Sequence, residues 1–240
     1  MIRALWFYVV LVISTVYHAA AATVAGLLGV RHRSGGVYDW AGTDWARQIL
    51  RAAGTPVQAE GLELIPRDRP VLYASNHSSM FDIWALFATL PGSVRFVAKQ
   101  ELFRIPLLGG AMRAVGHVAI DRTHRKRAFE AYDDAARTIQ RGVSAVVFPE
   151  GTRSRTGELL PFKKGAFILA IRAQAPLVPM AIVGARAAMK KGSFIIWPVT
   201  IRIRVGEPVP TAGIGLDGRD GLMQTLRERI QGLLRDLADH

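Results

Sequence analysis

Cysteine is absent from the 240 residues. Its absence excludes a disulfide scaffold, a cysteine-ligated zinc or iron–sulfur centre and a cysteine nucleophile. Acidic side chains are scarce, with 19 Asp and Glu against 31 Lys and Arg, a formal charge of +12. Half of the residues are nevertheless apolar, which excludes a disordered chain, because disorder requires low hydrophobicity alongside charge. The same combination argues against a soluble nucleic-acid binder, and the basic residues do not interleave with aromatic ones as a base-stacking platform requires. A basic, apolar chain suits an anionic membrane surface, where each nearby Lys or Arg contributes about 1 kcal/mol of attraction. The length fits one domain of ordinary size with an appendage. Also missing are a lysine-bearing phosphate loop, a paired-histidine zinc helix and a G-x-S-x-G elbow. Gly213, Gly215 and Gly218 meet the G-x-G-x-x-G spacing, but Pro208 and Pro210 cut them off from the preceding strand pattern, so the context for dinucleotide binding is lacking.

Charge is missing altogether between Ala4 and Val30. As a helix this stretch is about 40 Å long, enough to cross a hydrocarbon core of about 30 Å or to lie along one leaflet. It runs past the small residues Ala20 and Ala22, which argues against a cleaved signal peptide. A second helical pattern follows, with Ala41, Trp45, Ile49 and Ala52 on one side. Trp40 and Trp45 suit a headgroup layer, and packing on a globular body is the competing reading. Residues 1–55 are therefore expected to form membrane-attachment helices ahead of a body over residues 56–240.

In the body, strand patterns at 71–75, 94–98, 118–120, 144–148, 177–183 and 199–205 alternate with helical patterns at 126–140, 165–174 and a C-terminal stripe of Leu222, Leu226, Ile230, Leu233 and Leu237. This alternation predicts an α/β fold with a mixed, mostly parallel sheet flanked by helices.

Chemistry-bearing residues gather where predicted strands end. Ser75-Asn76-His77-Ser78-Ser79-Met80-Phe81-Asp82 lies between a strand and a helix, the edge where α/β sheets bind ligands. Asp82, one helical turn on, is placed to hold one imidazole nitrogen of His77 and leave the other as a general base. The same spacing also matches a helix cap, in which Asp82 only satisfies backbone N–H groups. Backbone N–H groups near Ser78 and the helix start are the expected oxyanion donors, with no single donor identifiable. Phe148-Pro149-Glu150-Gly151-Thr152-Arg153 ends a second strand; Gly151 permits close backbone approach and Arg153 offers a planar fork for phosphate oxygens. Glu150 repels phosphate and is read as orienting Arg153, a base or an acceptor hydroxyl. Arg122, after Gly116-His117-Val118-Ala119-Ile120-Asp121, is a second strand-end cation, and Lys99 a third. The other histidines, among them His18 and His117, have no carboxylate at a motif spacing and read as structural or solvated.

Taken in order, these segments resemble the glycerolipid acyltransferase family, in particular the 1-acyl-sn-glycerol-3-phosphate acyltransferases. Asn76, His77 and Asp82 match the first motif, Gly116 to Arg122 the second with Ala119 in place of a bulky aromatic residue, Phe148 to Arg153 the third, and Val178-Pro179-Met180-Ala181-Ile182 the fourth. Lys99-Gln100-Glu101-Leu102 with Pro106 and Gly109 is similar to the segment between the first two motifs.

The resemblance implies a glycerol-3-phosphate acyltransferase-like fold with an N-terminal two-helix membrane motif. It implies transfer of a fatty acyl group from acyl-CoA or acyl carrier protein to the free sn-2 hydroxyl of lysophosphatidic acid, giving phosphatidic acid. His77 and Asp82 are then catalytic. Lys99, Arg122, Glu150, Gly151, Thr152 and Arg153 belong to the phosphate-binding group, and Val178 and Pro179 to the acyl path. No metal, organic cofactor or nucleic-acid partner is implied, and the expected location is the inner cell membrane with the catalytic domain facing the cytoplasm. The competing expectations are another acceptor, such as glycerol 3-phosphate or a different lysolipid, and a non-catalytic protein that binds anionic lipid.

Overall fold

The structure is a computed structural model that describes residues 2–121 and 125–238. Two helices come first, α1 (Ile2–Leu27) and α2 (Val37–Ala53), followed by β1 (Val57–Glu60), β2 (Leu72–Ser75), α3 (Phe81–Thr89), β3 (Val94–Lys99), α4 (Leu108–Val115), β4 (Val118–Ile120) and α5 (Arg125–Gln140). The chain continues through β5 (Ser144–Val147), α6 (Gly165–Ala173), β6 (Leu177–Val183), α7 (Ala185–Ala188), β7 (Ile201–Val205) and α8 (Arg219–Ala238). The strands form one sheet in the order β1-β7-β6-β2-β5-β3-β4. All neighbours are parallel except β6 and β7, which is the mixed, mostly parallel sheet expected.

Side chains alternate across the sheet because successive Cβ atoms point to opposite faces. Tyr73, Val146, Phe96 and Met180 pack on one face against α2, α3 and Phe7 of α1. Leu72, Ala74, Val147 and Leu177 pack on the other against α5, α6 and α8. The C-terminal stripe is seated as its period requires, with Leu222, Leu226, Ile230 and Leu237 buried. Central strands covered on both faces read as continuous apolar runs, which is why β5 and β6 were legible.

The N-terminal helices lie against this body. Small residues let α1 approach α4 closely, and a Cβ added at Gly26 would come within 2.9 Å of the Ala114 Cβ. Helix α2 buries Tyr38, Ala41, Ala46, Ile49 and Leu50. Trp45 turns inward rather than to the surface, donating its indole N–H to Thr15 Oγ1 at 2.9 Å and meeting the rings of Trp84 and Phe87 edge-on. The start of α2 is fixed by a buried ion pair, Arg95 to Asp39 at 2.8 Å. Removing one partner of such a pair costs about 3–5 kcal/mol, since the other charge is left uncompensated.

Candidate active site

Strands β2, β5, β3 and β4 are parallel neighbours, so their carboxyl ends fall on one edge of the sheet. Asn76 continues the β2–β6 ladder past its last backbone pair. Its Nδ2 donates to the Ile182 carbonyl at 2.9 Å and its Oδ1 accepts the Ile182 N–H at 2.8 Å. The amide thus mimics a peptide unit and delivers His77 at a fixed point above the strand.

His77 Nδ1 lies 2.8 Å from Asp82 Oδ2. A carboxylate only accepts, so the ring proton sits on Nδ1, and Nε2 is left with its lone pair. The same carboxylate oxygen accepts the backbone N–H groups of Ser78 and Ser79, at 2.7 and 2.8 Å. Helix capping and histidine orientation, alternatives in the sequence, are one arrangement here. The Phe148 ring stacks on the imidazole, with centroids 3.9 Å apart and planes 13° apart.

Those bonds narrow one expectation. The N–H groups of Ser78 and Ser79 are taken by Asp82, that of Phe81 by Ser79 Oγ and that of His77 by Glu150. These pairs occupy the N–H groups of His77, Ser78, Ser79 and Phe81, and the N–H of Met80 at the helix start is not among them.

Glu150 holds the segment of the base, one of the roles read for it. It is buried, 1% exposed; one carboxylate oxygen accepts the His77 N–H at 2.7 Å and the other the Leu160 N–H at 2.9 Å. It faces no phosphate site and instead ties the β5 loop to the β2 loop, a tie repeated where the Ser154 N–H donates to the His77 carbonyl at 2.7 Å. Burial pushes the Glu150 carboxyl above its usual range, against the two backbone donors that pull it down.

A cavity of about 520 Å³ opens beside His77, within the size range of ligand pockets. At the strand ends its wall carries His77, Lys99, Gly151, Thr152 and Arg153. Elsewhere it is largely apolar, formed by Ala19 and Ala22 of α1, Ala41 and Gly42 of α2, Met80, Ile83 and Phe87 around α3, and Ala111 and Met112 of α4. Gly42 has a packing reason, for an added Cβ would meet the Phe87 ring at 2.8 Å. Gly151 has a conformational one, φ +70°, where a side chain is strained.

The Arg153 guanidinium has no carboxylate partner among the described residues, and Lys99 is exposed with Glu101 3.7 Å away. Arg122 lies outside the described residues. Val178 and Pro179 do not line this cavity: both are buried in β6, which β2 separates from β5 and β3. The fourth motif is core, and the apolar wall comes from helices instead.

Three contributors escaped the sequence reading. Lys191 lines the cavity mouth and donates to the Arg153 carbonyl at 2.9 Å and to Thr152 Oγ1 at 3.2 Å. His18 is buried in α1 with Nε2 3.1 Å from Asp44, a carboxylate 26 residues away that no local spacing reveals. His117 Nδ1 accepts the Phe96 N–H at 3.0 Å. Burial, helped by the Arg95 charge, lowers the His117 pKa from 6.5 to about 3. The folded chain therefore binds this proton less tightly than the unfolded chain. Stability conferred by neutral His117 is complete above pH 6.5 and is lost as pH falls from there towards about 3. Between pH 6.5 and about 3, urea titrations are expected to lose at most about 1.4 kcal/mol per pH unit from this group, and His117→Gln to remove that component of the slope.

Among the described residues no group of three metal-ligating side chains is close enough to hold an ion. The sequence profile of the Acyltransferase family matches residues 56–183. A 1-acyl-sn-glycerol-3-phosphate acyltransferase of Cocos nucifera is 34% identical over 182 residues, 75% of this chain and 58% of that protein. The alpha enzyme of the same name from Homo sapiens is 33% identical over 186 residues, 77% of this chain and 66% of that one. The chain thus spans about three fifths of the length of the plant relatives that it matches, 58% and 64% for two of them. The crystal structure of the 1-acyl-sn-glycerophosphate acyltransferase PlsC from Thermotoga maritima superposes with a TM-score of 0.83 at 26% identity, covering 100% of this chain and 96% of that one. With the profile spanning more than half of its residues and the His77–Asp82 pair set at the mouth of an apolar cavity, the chain belongs to the acyltransferase family.

Proposed function

We propose that this protein transfers a fatty acyl group from a thioester, carried by coenzyme A or acyl carrier protein, to the free sn-2 hydroxyl of lysophosphatidic acid. The observation that carries the reading is the free Nε2 of His77 at the wall of a cavity that is cationic at its mouth and apolar within. The acceptor hydroxyl gives its proton to His77 Nε2 as its oxygen attacks the thioester carbonyl. Asp82 holds the ring and stabilises the imidazolium. The tetrahedral adduct then collapses, the carbon–sulfur bond breaks, and the proton passes from Nε2 to the departing thiolate. Phosphatidic acid and free thiol are the products, with no acyl-enzyme between.

Arg153, Lys99 and Thr152 are assigned to the acceptor phosphate, with Gly151 supplying the turn that brings them together, and Arg122 is assigned to it from its motif position. Glu150 acts by holding the His77 loop. Arg153→Ala is expected to raise KM for lysophosphatidic acid about 10- to 100-fold, the worth of a charge-assisted hydrogen bond, with a smaller effect on kcat. The same variant should leave KM for a monoacylglycerol acceptor unchanged; an equal rise for both acceptors would place the phosphate elsewhere.

Residues 1–55 are proposed as the membrane-attachment part and residues 56–240 as the catalytic body, at the cytoplasmic face of the inner membrane. Helix α1 is long and apolar enough to cross a bilayer. One face, with Phe7, Ser14, His18, Ala22 and Ala25, is buried against the body, while Leu5, Trp6, Val12, Ile13 and Tyr17 are exposed. A helix packed sideways along a charged body suits immersion in one leaflet better than crossing.

A further inference from the structure

Between α7 and β7 the chain reads Lys190-Lys191-Gly192-Ser193-Phe194-Ile195-Ile196-Trp197-Pro198. The neck of this loop is fixed. The Trp197 N–H donates to the Ala188 carbonyl at 2.9 Å and the Ser193 N–H to the Lys190 carbonyl at 3.0 Å. Ile196 turns inward onto the core. The tip is open: Phe194 is 79% exposed, Ile195 63% and Trp197 62%.

Two contacts tie the loop to the site. Ser79 Oγ, in the His77–Asp82 turn, donates to the Met189 carbonyl at 2.7 Å, and Lys191 reaches the Arg153 carbonyl at the cavity mouth. A third ties it to α1, where the Tyr8 hydroxyl donates to the Phe194 carbonyl at 2.7 Å and the two rings lie 6.4 Å apart. The tip therefore extends the outward apolar face of α1, on which Leu5, Trp6 and Val9 are exposed.

Three large apolar side chains held in water on an anchored neck mark a docking surface. Lysines followed by aromatic and aliphatic residues match a lipid interface, where the cations meet anionic headgroups and the rings enter the acyl boundary. We propose that residues 194–197 are a second membrane contact, which enters an anionic leaflet beside α1 and holds the cavity mouth against the lipid surface. An acceptor lipid then reaches His77 without leaving the interface. Continuity with the α1 face and the lysines at the loop's start favour a bilayer over a second copy of the chain. The inference rests on the reading of the protein as a lipid acyltransferase working at a membrane.

The test uses the full chain carrying Phe194→Ser, Ile195→Ser and Trp197→Ser together. Sedimentation with vesicles of phosphatidylcholine and phosphatidylglycerol in equal parts is expected to fall about tenfold or more. Turnover of vesicle-embedded lysophosphatidic acid should fall in parallel, while turnover of a short-chain, monomeric acceptor stays within about twofold. Unchanged vesicle partition, or equal loss on both acceptors, overturns the inference, as does a change of oligomeric state with partition intact. Trp197→Phe supplies a readout that does not depend on tolerance of the triple change. Brominated lipid should quench the wild type more than this variant, and equal quenching overturns the contact. Wild-type protein that turns over neither acceptor contradicts the acyltransferase reading itself, an outcome separate from these.

Discussion

His77→Ala is expected to lower acyl transfer about 10³- to 10⁴-fold, the span attributed to a positioned general base together with the group that orients it. The packing cost is small, because the ring sits at the cavity wall and the Asp82 carboxylate keeps its two backbone donors, Ser78 and Ser79. The melting temperature should therefore move little while kcat collapses. Asp82→Asn separates the two functions of that carboxylate. Its rate should fall by a similar factor, because an amide does not hold the Nδ1–H tautomer as an anion does. Its stability should fall too, because the amide oxygen that meets the three donors on Oδ2 carries no charge and its NH2 takes the place of the buried Asp82 Oδ1, which has no hydrogen-bond partner. Steady-state kinetics alongside thermal melts check both, and full turnover by His77→Ala removes the mechanism.

The second large effect belongs to Glu150. Glu150→Ala strips acceptors from two backbone N–H groups, those of His77 and Leu160, beneath a side chain that is 1% exposed. Each buried donor left unpaired costs about 1–3 kcal/mol. The rate should fall about 10²-fold or more through kcat, because His77 is no longer held at a near-attack position. KM for the acceptor should change little. That split distinguishes Glu150 from Arg153, whose loss is read in KM. A rise in KM with kcat intact would return Glu150 to the phosphate site. Burial raises the Glu150 pKa, so the folded chain binds its proton more tightly than the unfolded chain does. The favourable contribution of that proton is present below the ordinary carboxylate range and is lost as pH rises through the raised value.

The parts of the molecule that the sequence made legible are those where a local pattern has one physical solution. Leu177 to Val183 is a continuous apolar run because β6 is covered on both faces, and the 222–237 stripe has the period of a helix lying on a sheet. His77 and Asp82 were legible because they lie five residues apart across the short turn that joins β2 to the start of α3. Strand β1 was not, since four residues alternating between half-buried and exposed at the sheet edge give too short a period to detect. The surroundings of Trp45 and the apolar cavity wall were not legible for another reason. Periodicity shows which face of α2 is apolar and not what that face meets, and it meets α1, α3 and the cavity rather than lipid. The same limit hides that Val178 and Pro179, the residues read as acyl path, lie in a strand two places from β5 and line no part of this cavity. The partners of Glu150 were not legible because they are backbone groups of two other segments, which have no residue code.

The most direct test of the account is product formation by the purified wild-type chain, supplied with a labelled acyl thioester and lysophosphatidic acid in mixed vesicles. The account predicts labelled phosphatidic acid, formed with release of one thiol per product and lost with His77→Ala. Thioester consumed without phosphatidic acid, or label transferred equally well to an acceptor without phosphate, would contradict it.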